Sequence, residues 1–76
     1  MQRIKLIWDF KSVDGAKIAE HHVKHLNQYI ASKELTDTSA SFEMVSENHW
    51  IAFLETQKTR MIELRDALKP HRGELA

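Results

Sequence analysis

The stretch "SASFEMVSENHWIAFLETQ", residues 39–57, decides the fold of this chain. It is rich in aromatic and apolar residues on both sides of Glu47-Asn48, and asparagine is well suited to the positive φ angle of a tight turn. The stretch therefore predicts a hairpin of two strands. A two-residue loop would fix the register by pairing Val45 with Trp50.

The segments around this hairpin alternate between strand and helix patterns. "RIKLIWDF" (3–10) alternates apolar and mainly polar residues, which predicts a half-buried strand. Apolar residues then recur at steps of three and four from Val13 to about Lys33, which predicts a helix. After the hairpin, a second helix is expected between Thr59 and Pro70. The tail "HRGELA" (71–76) is too short for more than a frayed end or an edge segment.

This β-α-β-β-α order predicts an α+β fold in one domain, residues 1–76. It resembles the ferredoxin-like, split βαβ architecture over nearly the whole chain. The resemblance implies strand order 1-3-2 and two helices on one face of the sheet. The usual fourth strand is expected to be absent, which would leave strand 1 on an open edge.

Composition excludes several classes of protein. Lys and Arg number 11 and Asp and Glu number 11, a balance that argues against nucleic-acid binding. The chain has no cysteine, so disulfides and thiolate metal sites are excluded. No apolar run approaches the roughly 20 residues needed to span a bilayer, so no membrane partner is expected. The N-terminus lacks the apolar stretch of a secretory signal, and a cytoplasmic location is expected.

The hairpin register predicts two different sheet faces. The helix-covered face would carry Ala40, Phe42, Met44, Ile51 and Phe53 beside Ile4, Leu6, Trp8 and Phe10. The open face would carry a patch large enough to suggest a homodimer, joined through this face or through the free edge of strand 1. The predicted interface residues are Ile7, Val45, Trp50, Ala52 and Leu54. Scattered surface residues, a ligand or peptide site, and RNA stacking on Trp50 are the alternatives.

Three of the five histidines lie within "AEHHVKHL" (19–26). His21 and His25 are one helical turn apart, a spacing at which two imidazoles can share a metal. Two ligands do not make a zinc site, and no third is evident, although His49 could approach from the sheet. The three histidines are therefore interpreted first as ordinary helix residues, with His21 solvated and with His22 and His25 half-buried and either hydrogen-bonded or in contact with a partner chain. Metal binding, catalysis and pH sensing are the alternatives.

These patterns favour a small non-catalytic binding or regulatory module that forms a homodimer and needs no cofactor. No catalytic residue is assigned. The alternative is a dimeric enzyme or metal-binding protein that uses His21, His22 and His25 together with His49.

Overall fold

The computed structural model describes residues 2–76, which form a four-stranded antiparallel sheet and two α-helices. The α+β class predicted from the sequence is confirmed. In chain order the elements are β1 (Arg3–Lys11), α1 (Gly15–Ser32), β2 (Ser39–Ser46), β3 (His49–Gln57), a 3-10 turn (Lys58–Arg60), α2 (Met61–Leu68) and β4 (Arg72–Leu75).

The sheet order is β2-β3-β1-β4, and every neighbouring pair is antiparallel. The predicted three-strand order 1-3-2, with the fourth strand absent, is therefore wrong. Arg72–Leu75 pairs with the side of β1 that was expected to be an open edge. All four residues of β4 are exposed, so the strand is held by backbone hydrogen bonds and not by an apolar pattern. The ladder continues beyond the strand at both ends, through His71 N–H to the Ile7 carbonyl and Ala76 N–H to the Arg3 carbonyl.

The hairpin between β2 and β3 turns at Glu47-Asn48, where Asn48 has a φ angle of +60°. Ser46 pairs with His49 across this turn, but the next pair is Met44 with Trp50, because Val45 is an extra residue in a β-bulge. A bulge shifts every later pair by one residue, and such a shift exchanges the faces of a strand. The predicted pairing of Val45 with Trp50 is therefore wrong.

The bulge decides which residues of β3 face the helices. Leu6 lies opposite Leu54 and Trp8 opposite Ala52, so these residues share one face. Ile51 and Phe53, which were predicted for that face, lie on the other. The buried core on the helix side consists of Ile4, Leu6, Trp8, Ala19, Val23, Leu26, Leu35, Ala52, Leu54 and Leu64.

Both helices contribute to this core from the same side of the sheet. Helix α1 buries Ala19, Val23 and Leu26, three residues of the stripe predicted from the sequence, and packs mainly on β2 and β3. Helix α2 is only 8 residues long and buries Leu64. The Trp8 indole donates a hydrogen bond to the Leu68 carbonyl at the end of α2, at 3.3 Å. The half of the sheet that contains β4 is thus covered by the shorter helix.

Candidate binding site

The five residues predicted for an interface do not form one surface. Ala52 and Leu54 are fully buried in the core, and Trp50 packs against that core on the same side. Val45 is exposed, but at the bulge near the tip of the hairpin. Only Ile7 lies on the open face as predicted, and it is 1% exposed. The predicted patch is therefore wrong in its composition, because it was derived from the unbulged register.

The open face carries a short apolar row, formed by Phe53, Ile7 and Ile51. Ile7 lies opposite Phe53 in the sheet register, and Ile51 is opposite Asp9. The Lys5 ammonium lies 4.5 Å from the centre of the Phe53 ring, a cation–π geometry. Although no helix covers this face, Ile7 and Ile51 are both buried. Long charged side chains of the same face shield apolar neighbours in this way.

Ion pairs organise one end of the open face around Asp9. Its carboxylate accepts hydrogen bonds from His49 Nε2 at 2.9 Å and from Arg72 Nε at 3.0 Å. The Arg72 hydrogen bond, assisted by that from His49, lowers the pKa of Asp9 from its usual 3.8 to about 2, although partial burial acts in the opposite direction. The backbone N–H of Asp9 also donates to His71 Nδ1 at 2.9 Å. Asp9 therefore fixes β4 to β1 at this end, and its charge is already balanced.

The histidines of α1 do not combine with His49. His21 and His25 lie side by side, with their Nε2 atoms 3.1 Å apart. Both are exposed, so the prediction of a half-buried His25 is wrong. His49 lies on the open face, bonded to Asp9, whereas α1 packs on the opposite face. Among residues 2–76, no group of three or more His, Asp or Glu side chains is placed to hold a metal ion. The grouping of His21, His22, His25 and His49 on which the alternative function depended is thus not assembled.

His22 is the histidine with an unusual environment. Its ring packs 4.7 Å from the ring of Trp8 and 5.7 Å from that of Phe10, between centroids. Its Nε2 atom is buried and has no hydrogen-bond partner among the described residues. Burial lowers the pKa of His22, and the nearby imidazoles of His25, His71 and His21 lower it further. The site holds a neutral ring in an apolar contact and opposes its protonation.

A cleft of about 450 Å³ lies between β4 and α2. Its lining includes Ile4 and Leu6 of β1, Leu75 of β4 and Met61 of α2. Gly73 lies directly opposite Leu6 and lines the same cleft. A Cβ atom built on Gly73 would meet its nearest neighbours, a methyl group of Leu6 and the Lys5 carbonyl oxygen, at 3.5 Å, an ordinary contact distance, so a methyl group fits here without a clash. The apolar floor of the cleft is formed by the side chains of Ile4 and Leu6, which are themselves buried.

Three cationic residues also line this cleft, Lys58, Arg65 and Arg72, although the side chain of Arg72 lies on the open face of the sheet, opposite Ile7. The Nε and Nη2 atoms of Arg72 are bonded to Asp9, and its Nη1 atom lies 3.5 Å from Glu74. Lys58 donates to the neutral amide oxygen of Gln2 at 3.2 Å. Within residues 2–76, Arg65 makes only a 3.4 Å contact with Asp66, and both side chains of that pair are more than half exposed. The cleft therefore combines apolar side chains with two cations that have weak or neutral partners.

The sequence did not predict this cleft, because one of its two walls is β4. The only available signals were the position of Gly73 in the tail and Pro70 beyond the second helix. Neither distinguishes a short paired strand from a frayed end. Lys58 and Arg65 both occur in "QKTRMIELRDALK" (57–69), a stretch whose charges are typical of a solvated helix face.

Within residues 2–76, no helix has the length and apolarity needed to cross a bilayer. No family model, curated protein or solved structure matches the chain, so the function has to be inferred from the geometry of the cleft and its surroundings.

Proposed function

We propose that this chain is a non-catalytic binding module that takes the apolar part of a small ligand into the cleft between β4 and α2. The observation that carries the proposal is the apolar lining of this cleft, where exposed Leu75 and partly exposed Met61 lie beside the buried side chains of Ile4 and Leu6. Its volume of about 450 Å³ falls within the range of roughly 300–1,000 Å³ that is typical of small-molecule sites.

The chemistry of the lining favours binding over catalysis. His71 is the lining residue most suited to acid–base work, and its Nδ1 atom accepts the backbone N–H of Asp9. A catalytic histidine is usually oriented by one group and bonded to a nucleophile or a substrate through its other nitrogen. The serine and threonine side chains of residues 2–76 do not line this cleft, so they do not offer His71 a hydroxyl nucleophile there.

A neutral solvatochromic dye such as Nile red tests the proposal, because its fluorescence rises when it enters an apolar site. The parent protein is expected to bind it saturably. Gly73→Leu should abolish this binding by filling the space next to Leu6. Ser41→Leu is the matched control, because it adds the same side chain to the open face, opposite Phe53. Equal dye binding by the two variants and the parent would refute the proposal.

We also propose that the architecture is ferredoxin-like. Two features support this: β1 and β2 flank β3 and run in the same direction, and the C-terminal strand pairs with β1. Both helices pack on one face of the sheet, as that architecture requires. An experimental structure in which β4 detaches from β1 would contradict this assignment.

Homodimerisation through the open face is a separate proposal, supported by the partly exposed ring of Phe53, which lies beside the buried Ile7 and Ile51 where neither described helix covers the sheet. A partner would have to displace Lys5 from the Phe53 ring. Sedimentation at micromolar concentration should then give twice the monomer mass, and Phe53→Glu should return it to the monomer. A monomeric parent protein would contradict the proposal. The edge of β1 cannot serve as the interface, because β4 occupies it.

A further inference from the structure

We infer that the ligand of the cleft is a free amphipathic carboxylate with a medium-length aliphatic chain, whose head group is bound by Lys58 and Arg65. This inference rests on the proposed function and adds the chemical class of the ligand. It follows from the position of the charges around the cleft.

The cleft is cationic although the chain as a whole is not. The formal net charge of the full sequence is zero. Arg72 and Glu74 also line the cleft, but their side chains lie on the open face, opposite Ile7 and Lys5, so the cleft charges are those of Lys58 and Arg65, a local net charge of +2. Such a local excess attracts an anion to a particular site without making the whole surface basic.

Two of these cations are available to a ligand. Arg72 is bound to Asp9 at 3.0 and 3.3 Å, so its charge is already compensated. Lys58 has only a neutral amide partner among the described residues. The contact between Arg65 and Asp66 is long and exposed, and exposed pairs of this kind contribute little to stability. A carboxylate can therefore replace these contacts at small cost.

The helix geometry places an apolar and a charged group next to each other. Met61 and Arg65 are four residues apart on α2, so they lie on the same face of the helix, one turn apart. Met61 packs against the core, and Arg65 is exposed beyond it. A ligand lying along this face meets apolar atoms at one end and the planar guanidinium, which suits a carboxylate, at the other.

The apolar end of the ligand would contact β1 and β4. Leu6 is buried beneath Gly73, and Leu75 is 67% exposed although it lines the cleft. Covering Leu75 with an aliphatic chain removes apolar surface from water, which favours binding. A polar or multiply charged ligand would gain nothing from this part of the site.

Displacement of the neutral dye by decanoate and by decanol tests the inference. In the double variant Lys58→Gln/Arg65→Gln, decanoate should bind at least about tenfold more weakly than in the parent, since two charge-assisted hydrogen bonds are lost. Decanol should bind both proteins equally. Lys17→Gln/Lys24→Gln, on the exposed surface of α1, removes the same charge elsewhere and should behave as the parent does.

The outcomes separate this inference from the proposed function. If decanoate binds the double variant as tightly as the parent, head-group recognition by Lys58 and Arg65 is refuted. Displacement of the dye by decanol would still support binding of apolar ligands in the cleft. If neither compound displaces the dye, both proposals fail. If the protein co-sediments with phosphatidylglycerol vesicles but does not bind monomeric decanoate, the free amphiphile is refuted in favour of a membrane surface.

Discussion

Replacing Leu54 and Phe53 in turn by threonine tests the bulged register directly, because adjacent strand residues face opposite sides of the sheet. Leu54 is fully buried in the core, whereas Phe53 is partly exposed beside Lys5. Threonine suits a strand at either position, so differences in strand propensity cancel. The comparison therefore measures the environment of the two side chains and little else.

The expected magnitudes differ. Large-to-small substitutions of a buried leucine cost about 2–5 kcal/mol, and an unpaired buried hydroxyl adds about 1–3 kcal/mol. Leu54→Thr should therefore lower the free energy of unfolding by at least about 3 kcal/mol. Phe53→Thr removes a partly buried ring and a cation–π contact worth about 0.5–1 kcal/mol. The free energy of unfolding should therefore fall by about 1–2 kcal/mol in all.

Urea unfolding followed by far-ultraviolet circular dichroism provides the measurement. A domain of this length has a total stability of about 4–11 kcal/mol, so Leu54→Thr should remove a large part of it. The melting temperature of Leu54→Thr should lie about 10 °C below that of Phe53→Thr. If Phe53→Thr is as destabilising as Leu54→Thr, or more so, the bulge at Val45 is misplaced and the two faces are exchanged.

Three further predictions follow from individual side chains. Burial lowers the pKa of His22, so this group should not change the stability with pH well above 6.5 but should reduce the stability as the pH falls below 6.5, where the unfolded chain takes up the proton first. Urea titrations of His22→Phe should show a weaker loss between pH 7 and pH 5 than those of the parent, and exposed His21→Phe should behave as the parent does. The lowered pKa of Asp9 corresponds to a stabilisation of the folded state by at most about 2 kcal/mol. Because Arg72 is partly exposed, solvent screening reduces this stabilisation to about 1 kcal/mol. That contribution should be lost as the pH falls from about 4 towards 2, and Asp9→Asn should show a smaller acid dependence in the same titration. Finally, Gly15→Ala should lower the melting temperature, because its Cβ would lie 2.9 Å from the Phe10 carbonyl oxygen, whereas Gly73→Ala should not; equal melting temperatures would contradict the close approach at Gly15.

The elements with a clear periodic pattern could be predicted from the sequence. The first strand alternates, the stripe of α1 is regular, and Asn48 takes the positive φ angle that the hairpin turn requires. In each case a short-range pattern sets the local conformation, and burial of the apolar residues follows from it.

The faces of β3 could not be predicted in the same way, because this strand is apolar on both sides. Ile51 and Phe53 alternate with Ala52 and Leu54, so hydrophobicity alone does not choose between the two registers. The charged residues carried a usable signal: Lys5 lies opposite Glu55 in the sheet. Requiring opposite charges to pair across the two strands would have favoured the observed register.

The candidate cleft was beyond prediction for a different reason. Its wall β4 consists of four exposed residues without apolar alternation, and it forms only because β1 offers an unpaired edge. A strand that depends on its neighbour in this way has little sequence signature of its own. The site that depends on β4 was therefore hidden as well.

The same dependence makes β4 the element from which the fold should open first. Short, exposed elements with few apolar contacts unfold locally at a small fraction of the global free energy, and their amides exchange with solvent accordingly. Opening β4 would remove one wall of the cleft, so occupancy of the cleft and closure of this strand are thermodynamically linked. A bound ligand would therefore slow amide exchange at the C-terminal strand much more than in the core of β3, and the protein would report binding through the protection of its last few residues.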